Sequence, residues 1–448
     1  MTDWVGVVLV AGEGRRMRSQ IPKVLHPVCG KPMVSYSVEA LRKAGIEDIV
    51  LVVSTHRAKE VRQLFGDSVM YVEQDTPLGT GHALLQCKGV LENVAPNLLV
   101  MGGDSPLIES STIKALTTSH LNKKCKITLL TSTTFKQEDL GRLQRDDSGR
   151  IVEIVEATET KESDDINEVN AGVYCLDGAW LWPELEGLST SPSGEYYLTS
   201  LIAVAASKRQ RIYAADLANP DEAIGINDRL QLAIAEALLR QRIRERWMRE
   251  GVTIMDPSST FIDAEVTLSQ DTIIYPNTCI LGPTKIGPNC QIGPNTTIIS
   301  SLIAKRCKIR HSVIEDSVLE EAVDAGPFSH IRRGTYLESN VHIGNFVEVK
   351  DSRLGSGVKM GHFGYVGDAT IGPNTNLGAG LVTCNFDGVS KHHTEIGEGA
   401  FIGSDTMLVA PVKVGEGAAT GAGAVITKDV PPYRLAVGIP ARITERPP

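Results

Sequence analysis

The sequence predicts an α/β domain with a mostly parallel sheet, followed by a parallel β-helix, and three observations carry that prediction. Residues 280–300 place an aliphatic side chain every six positions, at Ile280, Ile286, Ile292 and Ile298. The same spacing returns at Ile396, Ile402, Leu408 and Val414, and Thr420 and Ile426 continue it with one lapse. In the first half, apolar runs at 5–11, 49–53, 69–72, 98–101 and 127–130 alternate with stretches long enough for helices, such as 33–44. A helix repeats every 3.6 residues and a strand every two, so neither yields a period of six. A unit with one inward apolar residue, then Gly and a turn residue, suits a coil whose stacked turns bury one continuous column. Strands alternating with helices predict a parallel sheet covered on both faces.

In such sheets ligands sit at the carboxyl ends of the strands, so the loops leaving the first, third and fourth apolar runs come first. The first loop holds Gly12 and Gly14, which let backbone amides approach a phosphate, and Arg16 and Lys23, which can neutralise its charge. It is not a Walker loop, and the glycines alone fit a tight strand-to-helix turn equally well. The next loop sets Gln74 before Leu78-Gly79-Thr80-Gly81-His82, a bend whose backbone groups can meet a nucleobase edge or simply open a helix. The third ends a buried strand with Gly102-Gly103-Asp104. Packing explains an acidic residue there poorly, whereas holding a divalent cation against phosphate oxygens explains it well. Further on, Gly141, Arg142, Glu156, Asn170, Gly225 and Asn227 each stand beside Gly or a β-branched run and singly read as turn or cap residues.

Between residues 230 and 250 the apolar positions Leu230, Ile234, Leu238, Ile243 and Trp247 recur every four or five, with Gly251 after them. This predicts one helix of about 30 Å whose apolar stripe rests on the start of the β-helix or on a neighbour. In the second half several stretches break the hexad rhythm. They carry Arg332, Glu348 and Lys350, then His362 between Gly361 and Phe363, then Tyr365, Asn376, and a polar loop from Cys384 to Lys391. Cations at 332, 350 and 391 can receive a sugar phosphate. The His362 imidazole can take a proton from an attacking amine near neutral pH, with Glu348 as a residue that could orient it. The bland alternative is a stem that only joins subunits.

Length and charge bound these readings. A chain of 448 residues calls for two domains and a connector. A net charge of −9 without a basic tract argues against a nucleic-acid partner. The apolar run at 5–11 follows Asp3 and is too short for a signal peptide or membrane span, which points to the cytoplasm. Eight scattered cysteines with no Cys-x-x-Cys suit reduced thiols.

Taken together these residues resemble one family along nearly the whole chain: the bifunctional N-acetylglucosamine-1-phosphate uridylyltransferases and glucosamine-1-phosphate acetyltransferases. Gly12-x-Gly14-x-Arg16-Met17 followed by Pro22-Lys23 is similar to the sugar-phosphate nucleotidyltransferase signature. The resemblance implies a Rossmann-like nucleotidyltransferase domain over 1–229, a helical linker over 230–251 and a left-handed β-helix acetyltransferase domain of hexapeptide repeats over 252–448. It implies Mg²⁺ on Asp104 and Asn227, and catalysis by Arg16 and Lys23 in the first domain and by His362 as base in the second. Leu9, Ala11, Gly12, Lys23, Gln74, Gly79, Thr80, Gly141, Glu156, Asn170 and Asn227 would bind UTP and the sugar nucleotide. Arg332, Lys350, Tyr365, Asn376 and Lys391 would bind glucosamine 1-phosphate. Ala379, Asn385, Phe386, Ser404, Ala422 and Arg442 would line the acetyl-CoA groove. A homotrimer would follow from the flat faces of the prism. Arg15 and Phe386 depart from the family's usual Thr and Tyr, Gly102 stands where the family often has Tyr, and Ile439 where some members have Arg. Two other readings stay open: a nucleotidyltransferase whose β-helix only oligomerises, and one serving another base or sugar.

Overall fold

The computed structural model describes residues 3–133, 140–157, 168–191 and 194–445. The chain divides into two units, Met1–Leu239 and Arg240–Pro448.

In the first unit the apolar runs become β1 (Trp4–Leu9), β2 (Ile49–Ser54), β3 (Met70–Gln74), β4 (Asn97–Gly102) and β5 (Ile127–Ser132). They are followed by β6 (Arg142–Arg145), β7 (Ile151–Val155), β8 (Val169–Asp177) and β9 (Ile212–Asp216). The sheet order is β9-β5-β8-β4-β1-β2-β3, with β6 joining β8 to β7. β1 runs parallel to β2 and β4, while β8 enters antiparallel between β4 and β5. Val7, Val50, Leu98, Val100 and Ile127 are fully buried, as a sheet covered on both faces requires. The helix Met33–Lys43 buries Met33, Val34, Val38 and Leu41 along one side and carries Arg42 and Lys43 at its negative end.

The helix Arg229–Arg249 buries Ala235, Ile243 and Trp247, whereas Leu230 and Ile234 are exposed at 71% and 44%. The apolar stripe expected along it is therefore kept only in its second half. There the Arg240 guanidinium lies over the Phe261 ring and Arg244 Nη1 donates to the Thr260 carbonyl, so this end rests on the first coil of the second unit.

The second unit is a left-handed parallel β-helix of three sheets. Thr278 pairs with Thr296 and Ile273 with Gln291, so a full coil takes 18 residues, three hexads. The inward column Ile262, Ile280, Ile298, Ile314, Ile331, Val349 and Val366 is entirely inaccessible to solvent. Each such side chain contributes about 1.5–3 kcal/mol by leaving water. Between Ile298 and Ile331 the coils shorten, Ile298 pairing with Ile314 and Ile314 with Ile331. Ile371 pairs with Ile396, 25 residues on, because the polar loop is inserted there. At the far end Arg434–Gly438 folds back antiparallel onto Ala441–Glu445, the strand that carries Arg442.

Candidate functional site

At the carboxyl ends of β1, β3 and β4 a cleft of about 720 Å³ opens. Leu9, Ala11, Gly12, Gln74, Gly79, Thr80, Asp104, Gly141, Glu156, Asn170 and Asn227 all line it. Lys23 sits beneath: its Nζ donates to Asp104 Oδ2 at 2.5 Å and to Asn227 Oδ1 at 2.7 Å. Ile226 N–H donates to the Asp104 carbonyl, which ties the Asn227 loop to the end of β4. Gly14 makes the Lys23 approach possible, since its φ is +62° and a Cβ there would lie 2.5 Å from Lys23 Cβ. Gly79, at φ +100°, likewise admits the Tyr196 carbonyl where a Cβ would clash at 2.6 Å. Arg16 is not on the cleft wall; it is exposed on the short turn Arg15–Met17 that leaves the glycine loop. Arg15 does line the cleft, its Nε 2.5 Å from Glu13 Oε2. At Gly102 the space of a Cβ is taken by Asp104 Oδ1.

On the opposite wall Thr199 Oγ1 donates to Glu156 Oε1 at 2.5 Å, and Asn170 Nδ2 donates to Tyr174 Oη at 2.6 Å. Burial pushes the Tyr174 phenol upward, so it stays neutral and able to donate. Leu198 N–H donates to Thr80 Oγ1. Sequence reasoning missed Tyr197, Leu198 and Thr199. They come from a segment with no Gly-Asp signature, and only the fold carries them to the wall.

In the β-helix, backbone hydrogen bonds run from Gly380 to Phe363, from Asp405 to Ala379 and from Gly423 to Ser404, across successive coils. His362, Ala379, Ser404 and Ala422 thus share one corner. His362 is exposed, and it stands between the strands Lys359–Met360 and Gly364–Gly367, which belong to different faces.

On the face of Gly364–Gly367, Arg332 and Lys350 stand one coil apart, extending the pairing of Ile331 with Val349. Arg332 Nη1 donates to Glu348 Oε1 at 2.5 Å, so the carboxylate expected to orient His362 is engaged by Arg332 instead. The Lys391 ammonium is lowered from its ordinary value chiefly by Lys350 against it, a pair of like charges that an anion would relieve. Tyr365 Oη meets Asn385 Nδ2 at 3.3 Å, and that amide also donates to Asp368 Oδ2. Asn385 is therefore buried beside the sugar-phosphate candidates, while its neighbour Phe386 is 60% exposed. The loop is held by Asp387, whose carboxylate accepts from Val389 N–H, Ser390 N–H and His392 Nε2. These contacts, Ser390 first, hold its pKa well below the usual carboxylate range. Asn376 lies on the other face, paired between Lys359 and Phe401. One chain thus brings Arg332, Lys350, Tyr365 and Lys391 together and leaves Asn376 apart. Arg442 is exposed on the terminal hairpin.

Comparison with known proteins agrees with this division. The nucleotidyl transferase family matches residues 5–222, and the bacterial transferase hexapeptide family (six repeats) matches residues 265–300 and 393–428. The bifunctional protein GlmU of Heliobacterium modesticaldum is 44% identical over 433 residues, covering 96% of this chain and 94% of that one. Its counterpart in Geobacillus thermodenitrificans is 44% identical over 440 residues, 98% and 96% of the two chains. That of Pelobacter propionicus is 42% identical over 443 residues, 98% and 96%.

Proposed function

The chain belongs to the bifunctional GlmU family, and from that premise we propose that it makes UDP-N-acetylglucosamine in two steps. The C-terminal β-helix transfers acetyl from acetyl-CoA to glucosamine 1-phosphate. The N-terminal domain then joins N-acetylglucosamine 1-phosphate to UTP with release of pyrophosphate. The observation that supports this division most directly is the Lys23 bridge between Asp104 and Asn227, a cation held by two oxygens at the floor of a nucleotide-sized cleft.

In that cleft an anionic sugar phosphate must attack the α-phosphorus of an anionic triphosphate, so charge neutralisation and alignment do the catalytic work. Asp104 and Asn227 would hold Mg²⁺. The fit follows from the bridge, because a carboxylate and an amide oxygen already converge on a positive charge, and hard oxygen donors suit that ion. When bound, Mg²⁺ supplies charge against the phosphate oxygens. Lys23 would meet the phosphates, with the amides of Gly12 and Gly14 lining their path and Arg16 reaching in from its exposed turn outside the cleft wall. Glu156 and Asn170 receive the sugar, and Gln74, Gly79 and Thr80 the uracil.

At the β-helix corner His362 takes a proton from the glucosamine nitrogen as that nitrogen bonds to the acetyl carbon and the thioester C–S bond breaks. Arg332, Lys350 and Lys391 hold the sugar phosphate, and the small residues Ala379, Ser404 and Ala422 leave room for the pantetheine arm. Asn376 stands on a different face from Lys350 and Tyr365. That separation supports a homotrimer in which a neighbouring copy closes the site. The working place is the cytoplasm, where UTP and acetyl-CoA are supplied.

The test gives glucosamine 1-phosphate, acetyl-CoA, UTP and Mg²⁺ to wild type, His362→Ala and Asp104→Ala. The first variant stays blocked until N-acetylglucosamine 1-phosphate is added, and the second accumulates that intermediate. A folded variant that loses both steps would overturn the division.

A further inference from the structure

Gln74 is buried at 3% exposure on the cleft wall, and its amide nitrogen lies 2.8 Å from His82 Nδ1 and 3.5 Å from the Gly79 carbonyl oxygen. On the far side of the same ring, Gln86 Nε2 lies 3.2 Å from His82 Nε2 and 3.2 Å from the His82 carbonyl. A neutral imidazole has one N–H and one bare nitrogen, so it cannot accept from both amides. One of the two must present oxygen. Both NH₂ groups face a carbonyl as well as the ring, so burial decides which amide turns: Gln74, enclosed in the wall, would set its oxygen against the Gly79 carbonyl with no water to relieve it, whereas half-buried Gln86 can turn away from the His82 carbonyl toward solvent. His82 is therefore bare at Nδ1 and carries its proton at Nε2, where Gln86 accepts with its oxygen. The ring is further fixed by Tyr196, 6.2 Å away between centroids.

We propose that His82 is a specificity-determining positioning residue: with Gln86 behind it, it locks the Gln74 amide so that Oε1 is the group offered to the nucleobase. Gln74 Oε1 takes no protein donor among the described residues. An acceptor in that place matches the ring N–H of uracil and opposes cytosine, whose corresponding nitrogen is itself an acceptor. This rests on the reading that Gln74 meets the base. Without the lock the amide can turn over and present NH₂, which suits cytosine. Discrimination of this kind depends on a buried polar group left unmatched by the wrong ligand.

The experiment measures kcat/KM for UTP and CTP with N-acetylglucosamine 1-phosphate, in wild type and in His82→Leu, His82→Asn, Gln86→Leu and Gln74→Leu. Circular dichroism melts of the same preparations report folding of the N-terminal domain that carries these residues. We expect the UTP:CTP ratio to fall about tenfold in His82→Leu, the equivalent of one hydrogen bond, with the change carried by KM rather than kcat. His82→Asn, which can keep an acceptor toward Gln74, restores part of it, and Gln86→Leu lowers it less. If His82→Leu slows UTP and CTP alike while Gln74→Leu collapses the ratio, the histidine is structural and the inference is overturned with base recognition intact. If Gln74→Leu leaves the ratio unchanged, the base is read elsewhere and both fall.

Discussion

Lys23 occupies the space between Asp104 and Asn227 that the proposed Mg²⁺ would take, and in the proposed reaction it would also be needed on the phosphates. The two demands separate in Lys23→Met. Losing a preorganised cation lowers kcat for uridylyl transfer by about 100-fold. Losing the competitor lowers the Mg²⁺ concentration that gives half-maximal rate. A Mg²⁺ titration checks both, and a variant that needs more Mg²⁺ would show that Lys23 helps to build the metal site. A second residue, His120, governs pH behaviour without touching the cleft. It is buried against the Trp4 ring, its Nδ1 meets Thr128 Oγ1 at 2.9 Å, and burial pushes its pKa down to about 4. Unfolded, it takes a proton below about pH 6.5; folded, only below about 4. The unfolded state therefore binds more protons between these values, and stability is lost as pH falls through that window. After a discount for solvent screening the loss is on the order of 2 kcal/mol. Urea melts of His120→Phe between pH 7 and pH 4 should show a flatter decline than wild type by that amount.

The spacing of coils is what sets His362 at its corner, and Gly344 shows how narrow the tolerance is. A Cβ there would fall 2.0 Å from the Gly361 carbonyl oxygen, directly before His362. Backbone cannot yield as a side-chain end can, so Gly344→Ala separates two coils at that corner. Acetyl transfer should drop at least tenfold, while uridylyl transfer from supplied N-acetylglucosamine 1-phosphate persists; assaying the two steps separately tests this. The coil architecture was legible in sequence only where coils hold three full hexads, as at 280–298 and 396–414. Between them corners lose a residue or two, and the period drifts although Ile314 and Ile331 still fall on the inward column. In the first unit the place of Asp104 on the cleft wall was legible because packing explains a charge at the end of a buried strand poorly, whereas the glycine loop alone read equally well as a tight turn. Thr199 was not, because nothing local distinguishes it; the β8 crossover and the turns after it bring it to Glu156. Leu230 and Ile234 misled, since helical periodicity marks a stripe without saying whether anything covers it.

At the scale of the whole molecule, the faces of the β-helix bear on the homotrimer proposed above. Lys350 and Tyr365 lie on one face of the β-helix and Asn376 on another, with His362 at the corner between them. If one copy supplies His362 and the next supplies Asn376, the acetyl site is a property of the assembly, and closed symmetry gives three such sites per trimer. Light scattering should then report a mass three times that of the chain. Complementation gives the sharper answer. His362→Ala and Asn376→Ala homotrimers are each deficient in acetyl transfer. Refolded or co-expressed together, they form mixed trimers in which about one site in three pairs an intact His362 with an intact Asn376 from different chains. Acetyl transfer should reappear in the mixture while uridylyl transfer, complete within one chain, is unchanged throughout. Recovery requires subunit exchange, so mixing the preformed homotrimers serves as the control that stays inactive. If the co-assembled species also stays inactive, His362 and Asn376 do not meet across copies, and the acetyl site has to be drawn within one chain.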